Sequence, residues 1–222
     1  MPEDPPTLPD AVLWDMDGTL VDTEPYWIAA EYAIVAEHGG QWSDELAHQL
    51  VGNPLLVSAE FIIANSPVTL TPEQLVDDLL ARVVRQVQEH IPWRAGAREL
   101  LFELNDLGVR CALVTMSWTS LAEAVTASLP QGLFAVVVTG DLVTHGKPHP
   151  EPYLAACAAL NARPERCIAI EDSATGVRSA VAAGVPTLAV PHVVDVPAIP
   201  GAVRLDSLDG VRARELVGYF AG

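Results

Sequence analysis

Asp15-Met16-Asp17-Gly18-Thr19-Leu20-Val21-Asp22 follows directly on a short apolar run at residues 11–14. The stretch places two carboxylates two residues apart, and Gly18 interrupts the apolar pattern at once. Two like charges this close repel each other and are costly to desolvate, so a fold that contains them compensates with a cation or a shared proton. Alone, an Asp-x-Asp-Gly pattern is more typical of a turn or of part of a calcium-binding loop. Its meaning therefore depends on the rest of the chain.

Short and nearly continuous apolar runs recur along the chain, as is typical of strands buried on both faces of a sheet. Helical patterns separate them, and most of these end at a glycine or a proline. We predict strands at 11–14, 110–115, 135–139, 167–171 and 187–190, and helices between them at 96–107, 120–129, 152–160 and 175–183. This alternation predicts an α/β fold, a Rossmann-like parallel sheet with helices on both faces.

Residues 24–90 interrupt the alternation and show helical patterns only. The patterns cover 25–38, 43–50, 54–65 and 72–89, and Thr71 with Gln74 forms a capping box at the start of the last helix. We therefore predict a helical cap domain at 24–90, inserted after the first strand of a core formed by 11–23 and 91–222. Residues 1–10 are rich in proline and acidic side chains, and we predict that they form a disordered tail.

Composition limits the classes of partner. The 222 residues are 50% hydrophobic, enough for a sizeable core, and carry a formal net charge of −17. That charge argues against nucleic acid or an anionic membrane as a partner. Cys111, Cys157 and Cys167 are an odd set in apolar stretches, so we expect buried thiols in a reducing compartment. With neither a signal peptide nor a spanning segment evident, we expect a cytoplasmic protein. We also expect a monomer or a weak homodimer.

Polar side chains gather where the predicted strands end. They are Asp15 and Asp17 after the first strand, Thr115 and Ser117 at the second, Lys147 after the third, and Glu171 and Asp172 at the fourth. Parallel strands bring these positions to one edge of the sheet, where ligands bind. Each feature alone has an ordinary explanation, because lysines are commonly exposed and Asp, Ser and Thr commonly cap helices. Together they favour a functional site.

This set of side chains suits phosphoryl transfer. Asp15 and Asp172 could hold Mg²⁺, which prefers oxygen ligands. The hydroxyls of Thr115 and Ser117 could donate to phosphate oxygens, and Lys147 supplies a point charge for the same group. One carboxylate is then free to act as a nucleophile, and its neighbour could protonate the leaving group and later deprotonate water.

The motifs resemble those of the haloacid dehalogenase superfamily, nearest to its β-phosphoglucomutase-like phosphatases. The first motif begins at Asp15, Thr115 is similar to the second, the stretch Gly-Lys-Pro-His-Pro around Lys147 to the third, and Ile-Glu-Asp-Ser at 170–173 to the fourth. The resemblance implies the following roles. Asp15 is the nucleophile and a metal ligand, Asp17 the general acid/base and a ligand through its carbonyl, Asp172 and Glu171 are metal ligands, and Thr115, Ser117 and Lys147 bind the phosphoryl group.

The resemblance therefore predicts a magnesium-dependent phosphatase that hydrolyses a small phosphorylated metabolite through an aspartyl-phosphate. One alternative is a β-phosphoglucomutase-like sugar phosphomutase. The substrate-facing turn at 51–54 has no basic residue, and Arg82 and Arg85 are interpreted as solvent-facing, so the phosphatase is favoured. An alternative of another class is a phospho-receiver-type signalling domain. The chain length, the helical insertion and Asp17, which a receiver does not need, argue against it.

Overall fold

The computed structural model describes residues 8–220 and contains one parallel sheet. Its strands are β1 (Ala11–Trp14), β2 (Arg110–Val114), β3 (Val136–Val138), β4 (Cys167–Glu171), β5 (Thr187–Ala189) and β6 (Ala202–Arg204). They are arranged in the order β3-β2-β1-β4-β5-β6, and every neighbouring pair is parallel. The predicted Rossmann-like α/β fold is confirmed. The edge strand β6 was not predicted, because its side chains are only partly buried and its sequence lacks an apolar run.

The central strand β1 explains why its sequence is apolar throughout. Val12 pairs with Cys111 of β2 on one side and with Ile168 of β4 on the other. Its side chains alternate between two separate cores, so that Val12 and Trp14 enter one while Ala11 and Leu13 enter the other. Because both faces of the strand are covered, no position tolerates a polar side chain until the strand ends.

Residues 8–220 form eight α-helices. They are α1 (Glu24–Glu37), α2 (Asp44–His48), α3 (Leu55–Ala64), α4 (Pro72–Glu89), α5 (Ala97–Asp106), α6 (Thr119–Thr126), α7 (Glu151–Ala159) and α8 (Ala174–Ala182). Helices α5 and α6 share a core with one face of the sheet, whereas α7 and α8 contribute to the core on the other face. Among residues 8–220, no helix combines the length and the apolar character needed to cross a bilayer.

Helices α1–α4 lie between β1 and β2 in the chain and form the all-helical segment. The expected capping box starts α4, whose buried side chains recur every three or four residues, at Leu75, Leu79 and Val83 among others. This stripe packs α4 against α1 and α3 and also against α6 of the core. The two connecting segments run side by side, with the Asp22 N–H donating to the Pro92 carbonyl at 2.7 Å. The boundaries at 24 and 90 remain a prediction.

The predicted N-terminal tail lies largely outside the described residues, which begin at Leu8. Within the described part, Pro9 is buried and the Asp10 carboxylate accepts a hydrogen bond from Arg166 at 2.9 Å. The three cysteines are free and buried, as predicted, and the reducing compartment remains a prediction.

Candidate active site

The carboxyl-terminal edge of the sheet brings together the seven residues predicted to form the site. Asp15 and Asp17 follow β1, Thr115 and Ser117 follow β2, Lys147 lies between β3 and α7, and Glu171 and Asp172 stand at the end of β4. Because β2, β1 and β4 are adjacent and parallel, their ends meet at one place in space.

Lys147 is fixed between two carboxylates. Its Nζ lies 2.7 Å from Asp15 Oδ1 and 2.6 Å from Glu171 Oε1, and it donates to the Val114 carbonyl at 2.8 Å. The side chain is only 5% exposed. Burial opposes the charge of Lys147, but the two carboxylates outweigh it and raise the lysine pKa. A permanent positive charge is therefore held beside Asp15. Lys147 is also the only lysine in the sequence, a signal that composition alone could have supplied.

Glu171 is fully buried and its contacts explain how Lys147 is positioned. Tyr153 donates its hydroxyl hydrogen to Glu171 Oε1 at 2.7 Å, and Ser173 donates to Oε2 at 3.2 Å. Burial, followed by the charge of Asp15, raises the pKa of Glu171. A Cβ on Gly176 would overlap with the Glu171 carboxylate, so the first turn of helix α8 has room only for glycine at this position. Sequence reasoning missed Tyr153, whose place on the sheet-facing side of α7 was the available signal.

Asp17 is held by three hydroxyl groups. Thr23 donates to its Oδ1 at 2.5 Å, whereas Ser117 and Thr115 donate to Oδ2 at 2.7 and 3.2 Å. Burial raises the pKa of Asp17, the hydrogen bond from Thr23 opposes that shift, and the charge of Asp15 adds to it. Asp17 is thus a carboxyl group whose proton is retained more readily than in water. Thr23 was also missed, and it lies in the segment that leads from β1 to α1.

The carboxylates of Asp15, Glu171 and Asp172 form a cluster that could bind a metal ion. Their ligand atoms lie within 4.8 Å of one another, and Asp15 Oδ2 is buried with no hydrogen-bond partner among residues 8–220. Burial and then the charges of Asp15 and Glu171 raise the Asp172 pKa well above its usual value. Gly18, at φ +84°, lets the chain turn close to Asp172, where a Cβ would overlap its carboxylate. An orphaned buried oxygen within an acidic cluster fits a divalent cation.

A cleft of about 330 Å³ separates this edge of the sheet from the helical segment. Its walls include Asp15, Asp17, Thr115, Ser117, Lys147 and Asp172 from the core, and the expected turn at 51–54 from the other side. Arg82 is not among them, because it forms ion pairs with Glu37 and Asp78. His192 lines the cleft and lies 2.9 Å from Asp22 Oδ1.

A parallel sheet with an acidic cluster and a fixed lysine at one edge, beneath a helical segment, is the architecture of an enzyme with a Rossmann-like fold that uses carboxylates for its chemistry. Residues 12–190 match the family model for haloacid dehalogenase-like hydrolases, and the chain belongs to this family. The resemblance stated from the motifs is confirmed.

Named relatives point in the same direction. The chain is 29% identical to hexitol phosphatase B of Escherichia coli, over 94% of this chain and 96% of the relative. It is 35% identical to N-acetylmuramic acid 6-phosphate phosphatase of Pseudomonas aeruginosa, over 81% and 80%. Among solved structures, the chain is similar to CbbY from Rhodobacter sphaeroides in complex with phosphate. The two sequences are 29% identical, and the structures align with a TM-score of 0.81 over 92% of this chain and 96% of CbbY. The predicted class, a phosphatase, agrees with the names of both curated relatives.

Proposed function

We propose that the protein is a magnesium-dependent phosphatase that hydrolyses a small phosphorylated carbohydrate through an aspartyl-phosphate on Asp15. The observation that carries the proposal is the state of the Asp15 carboxylate. Lys147 binds its Oδ1, whereas its Oδ2 has no partner within the described chain, and the carboxylate belongs to the acidic cluster with Glu171 and Asp172. An oxygen left free beside a fixed positive charge is suited to attack an electrophilic phosphorus. The names of the relatives support the substrate class.

Binding of the phosphoryl group falls to Lys147 and to the hydroxyls of Thr115 and Ser117. Asp15 and Asp172, with the Asp17 carbonyl, would hold Mg²⁺, while Glu171 is committed to Lys147 and Tyr153. Bound Mg²⁺ would offset the negative charge that the phosphate adds to this acidic site. The remaining chemistry is assigned to side chains of the protein.

Hydrolysis proceeds in two displacements. The Asp15 carboxylate attacks phosphorus, the bond from phosphorus to the substrate oxygen breaks, and Asp17 gives its proton to the departing oxygen. Asp17, now ionised, takes a proton from a water molecule as that water attacks the phosphorus. The bond from phosphorus to Asp15 then breaks, inorganic phosphate leaves, and both carboxyl groups return to their starting states.

The hydroxyl groups around Asp17 connect phosphate binding to proton transfer. In the free protein, Thr115 and Ser117 both donate to Asp17 Oδ2, which favours its ionised form. An arriving phosphate group competes for these two donors. Losing them raises the Asp17 pKa further, so the carboxyl group is protonated when the leaving oxygen requires a proton.

Removal of the metal tests the proposal. We expect EDTA to lower the release of inorganic phosphate from p-nitrophenyl phosphate and from a hexitol phosphate by at least about 100-fold, because the phosphate then meets uncompensated carboxylates. Adding excess Mg²⁺ should restore both rates, which separates metal loss from damage to the protein. Undiminished turnover in EDTA would contradict the proposal.

Asp17→Asn separates the two displacements. The variant has no proton to give and cannot activate water, yet p-nitrophenolate leaves without protonation. We expect one equivalent of p-nitrophenolate to be released and a phosphoenzyme to accumulate, seen by intact-mass spectrometry as an added phosphoryl group. Continued turnover at the wild-type rate would exclude Asp17 as the acid/base. Asp106→Asn, at an exposed site on α5, is the matched control.

The rival functions predict other products. A phosphomutase given a hexose monophosphate and its bisphosphate would form the isomeric monophosphate and little free phosphate, whereas we expect free phosphate. A receiver domain would be phosphorylated without sustained turnover. We also propose a cytoplasmic location, which the three buried and unpaired thiols support.

A further inference from the structure

Helix α1 lines the side of the cleft that faces the catalytic carboxylates. It contributes Glu24, Trp27 and Glu31, which are spaced by three and four residues and therefore share one face of the helix. None of them has a part in the two displacements described above. Together they present two carboxyl groups and an indole ring to whatever part of a substrate extends beyond its phosphate.

Glu31 is a buried carboxyl group that lines the cleft. The residue is 6% exposed, and its Oε2 accepts a hydrogen bond from Trp42 Nε1 at 3.0 Å. Burial raises the Glu31 pKa to about 7. The hydrogen bond from Trp42 opposes this shift, and the negative charge of Glu24 adds to it. Burial, followed by the charges of Asp17 and Asp22, likewise raises the Glu24 pKa to about 7.

The cleft contains no cation for a second phosphate group. In the described chain, helices α1–α4 and their loops contribute neither arginine nor lysine to its walls. Lys147 is the one lysine there, and it is committed to Asp15 and Glu171. His192, the remaining basic side chain in the walls, lies against Asp22. The region facing α1 thus contains two acidic side chains, and the helices α1–α4 add no basic one to it.

We propose that Glu24, Trp27 and Glu31 determine specificity, selecting monophosphates whose body is uncharged and rich in hydroxyl groups, and disfavouring any substrate with a second phosphate. This inference rests on the proposed phosphatase function.

Hydrogen-bonding capacity explains the selection. A carboxylate accepts hydrogen bonds from substrate hydroxyls, and a protonated carboxyl group can also donate one, so a polyol satisfies Glu24 and Glu31 in either state. The indole of Trp27 offers an apolar face and a single N–H donor to the carbon chain of such a molecule. A second phosphate would meet like charge here and lose its hydration without gaining a cation.

The test compares kcat/KM for D-glucitol 6-phosphate, D-fructose 1,6-bisphosphate and p-nitrophenyl phosphate in the presence of Mg²⁺. We expect the wild-type protein to prefer the hexitol monophosphate over the bisphosphate by at least about 100-fold. Glu31→Gln keeps an acceptor for Trp42 but removes the charge, and it should narrow that preference about tenfold, mainly through KM. Glu24→Gln should also reduce the preference for the hexitol monophosphate over the bisphosphate.

Glu60→Gln is the matched control, since Glu60 is exposed on α3 and outside the cleft, and we expect its preference to equal that of the wild type. The inference is overturned if the wild type hydrolyses both sugar substrates equally well, or if neither Glu31→Gln nor Glu24→Gln narrows the preference while thermal unfolding shows both variants folded. p-Nitrophenyl phosphate reports on the proposed function separately. If even this substrate is not hydrolysed, the phosphatase proposal itself fails, and the specificity inference fails with it.

Discussion

Asp15→Asn is expected to lower kcat for p-nitrophenyl phosphate by at least about 10⁴-fold, because an amide oxygen cannot form the covalent intermediate. Aryl phosphate is the stringent substrate, since its leaving group needs no proton and its hydrolysis depends chiefly on the nucleophile. The measurement is steady-state release of p-nitrophenolate at saturating Mg²⁺. Intact-mass spectrometry should show no phosphorylated form of the variant under conditions that phosphorylate Asp17→Asn.

The fold should survive this substitution. Asn keeps the shape of the side chain and an acceptor for Lys147, and it removes one of the carboxylates that repel one another in the cluster. The midpoint temperature of thermal unfolding of Asp15→Asn should therefore equal or exceed that of the metal-free wild type. Asp106→Asn removes the same charge at an exposed position and should retain full activity. Turnover by Asp15→Asn at a tenth of the wild-type rate would exclude Asp15 as the nucleophile.

Lys147→Met is expected to affect stability as well as catalysis. Removing the cation leaves Asp15 and Glu171 buried against each other without compensation, which should cost about 3–5 kcal/mol of unfolding free energy near neutral pH. Activity should fall at least about 10³-fold, because the phosphoryl group loses its fixed positive partner. Urea denaturation in EDTA measures the first effect, and p-nitrophenyl phosphate hydrolysis in Mg²⁺ measures the second.

The loss of stability in Lys147→Met should shrink as the pH falls. Burial and the charge of Asp15 already raise the pKa of Glu171, and without the lysine that pKa rises further. Protonation at lower pH then removes the repulsion in the variant. Arg85→Met, which removes a positive charge from an exposed position on α4, should change the unfolding free energy by no more than about 0.5 kcal/mol. Equal effects of the two substitutions would contradict the buried-charge explanation.

Local sequence determined much of the site, because its residues occupy positions that parallel strands must bring together. Once β1, β2 and β4 are recognised as buried strands, Asp15, Thr115 and Asp172 can only lie at the same edge. Partners that reach this edge from elsewhere were not predictable in that way. Tyr153 approaches Glu171 from a helix, and Thr23 approaches Asp17 from a connecting segment. Neither contact has a fixed sequence spacing or a periodicity that would reveal it.

The side of the cleft formed by helix α1 was even less predictable from the sequence. Glu24, Trp27 and Glu31 read as ordinary members of a helix with no clear apolar face, and the sequence does not show which surface they line. The direction in which α1 faces is set by its packing on α4 and by the two paired connections to the core. The short strand β6 was not predicted for a related reason, because an edge strand needs few buried side chains and therefore lacks an apolar run.

The sequence by itself determined the chemistry of this protein: paired carboxylates after a buried strand, a single lysine and a second acidic pair, whose places follow from strand order. Tertiary structure decided which carboxyl group is free and which is committed. Glu171 and Asp172 are neighbours in the chain, yet Glu171 is fully buried against Lys147 while Asp172 lines the cleft. The physical reason is that ionisation, hydration and hydrogen-bond partners depend on burial and on distances across the fold. A linear pattern of residues does not contain those distances.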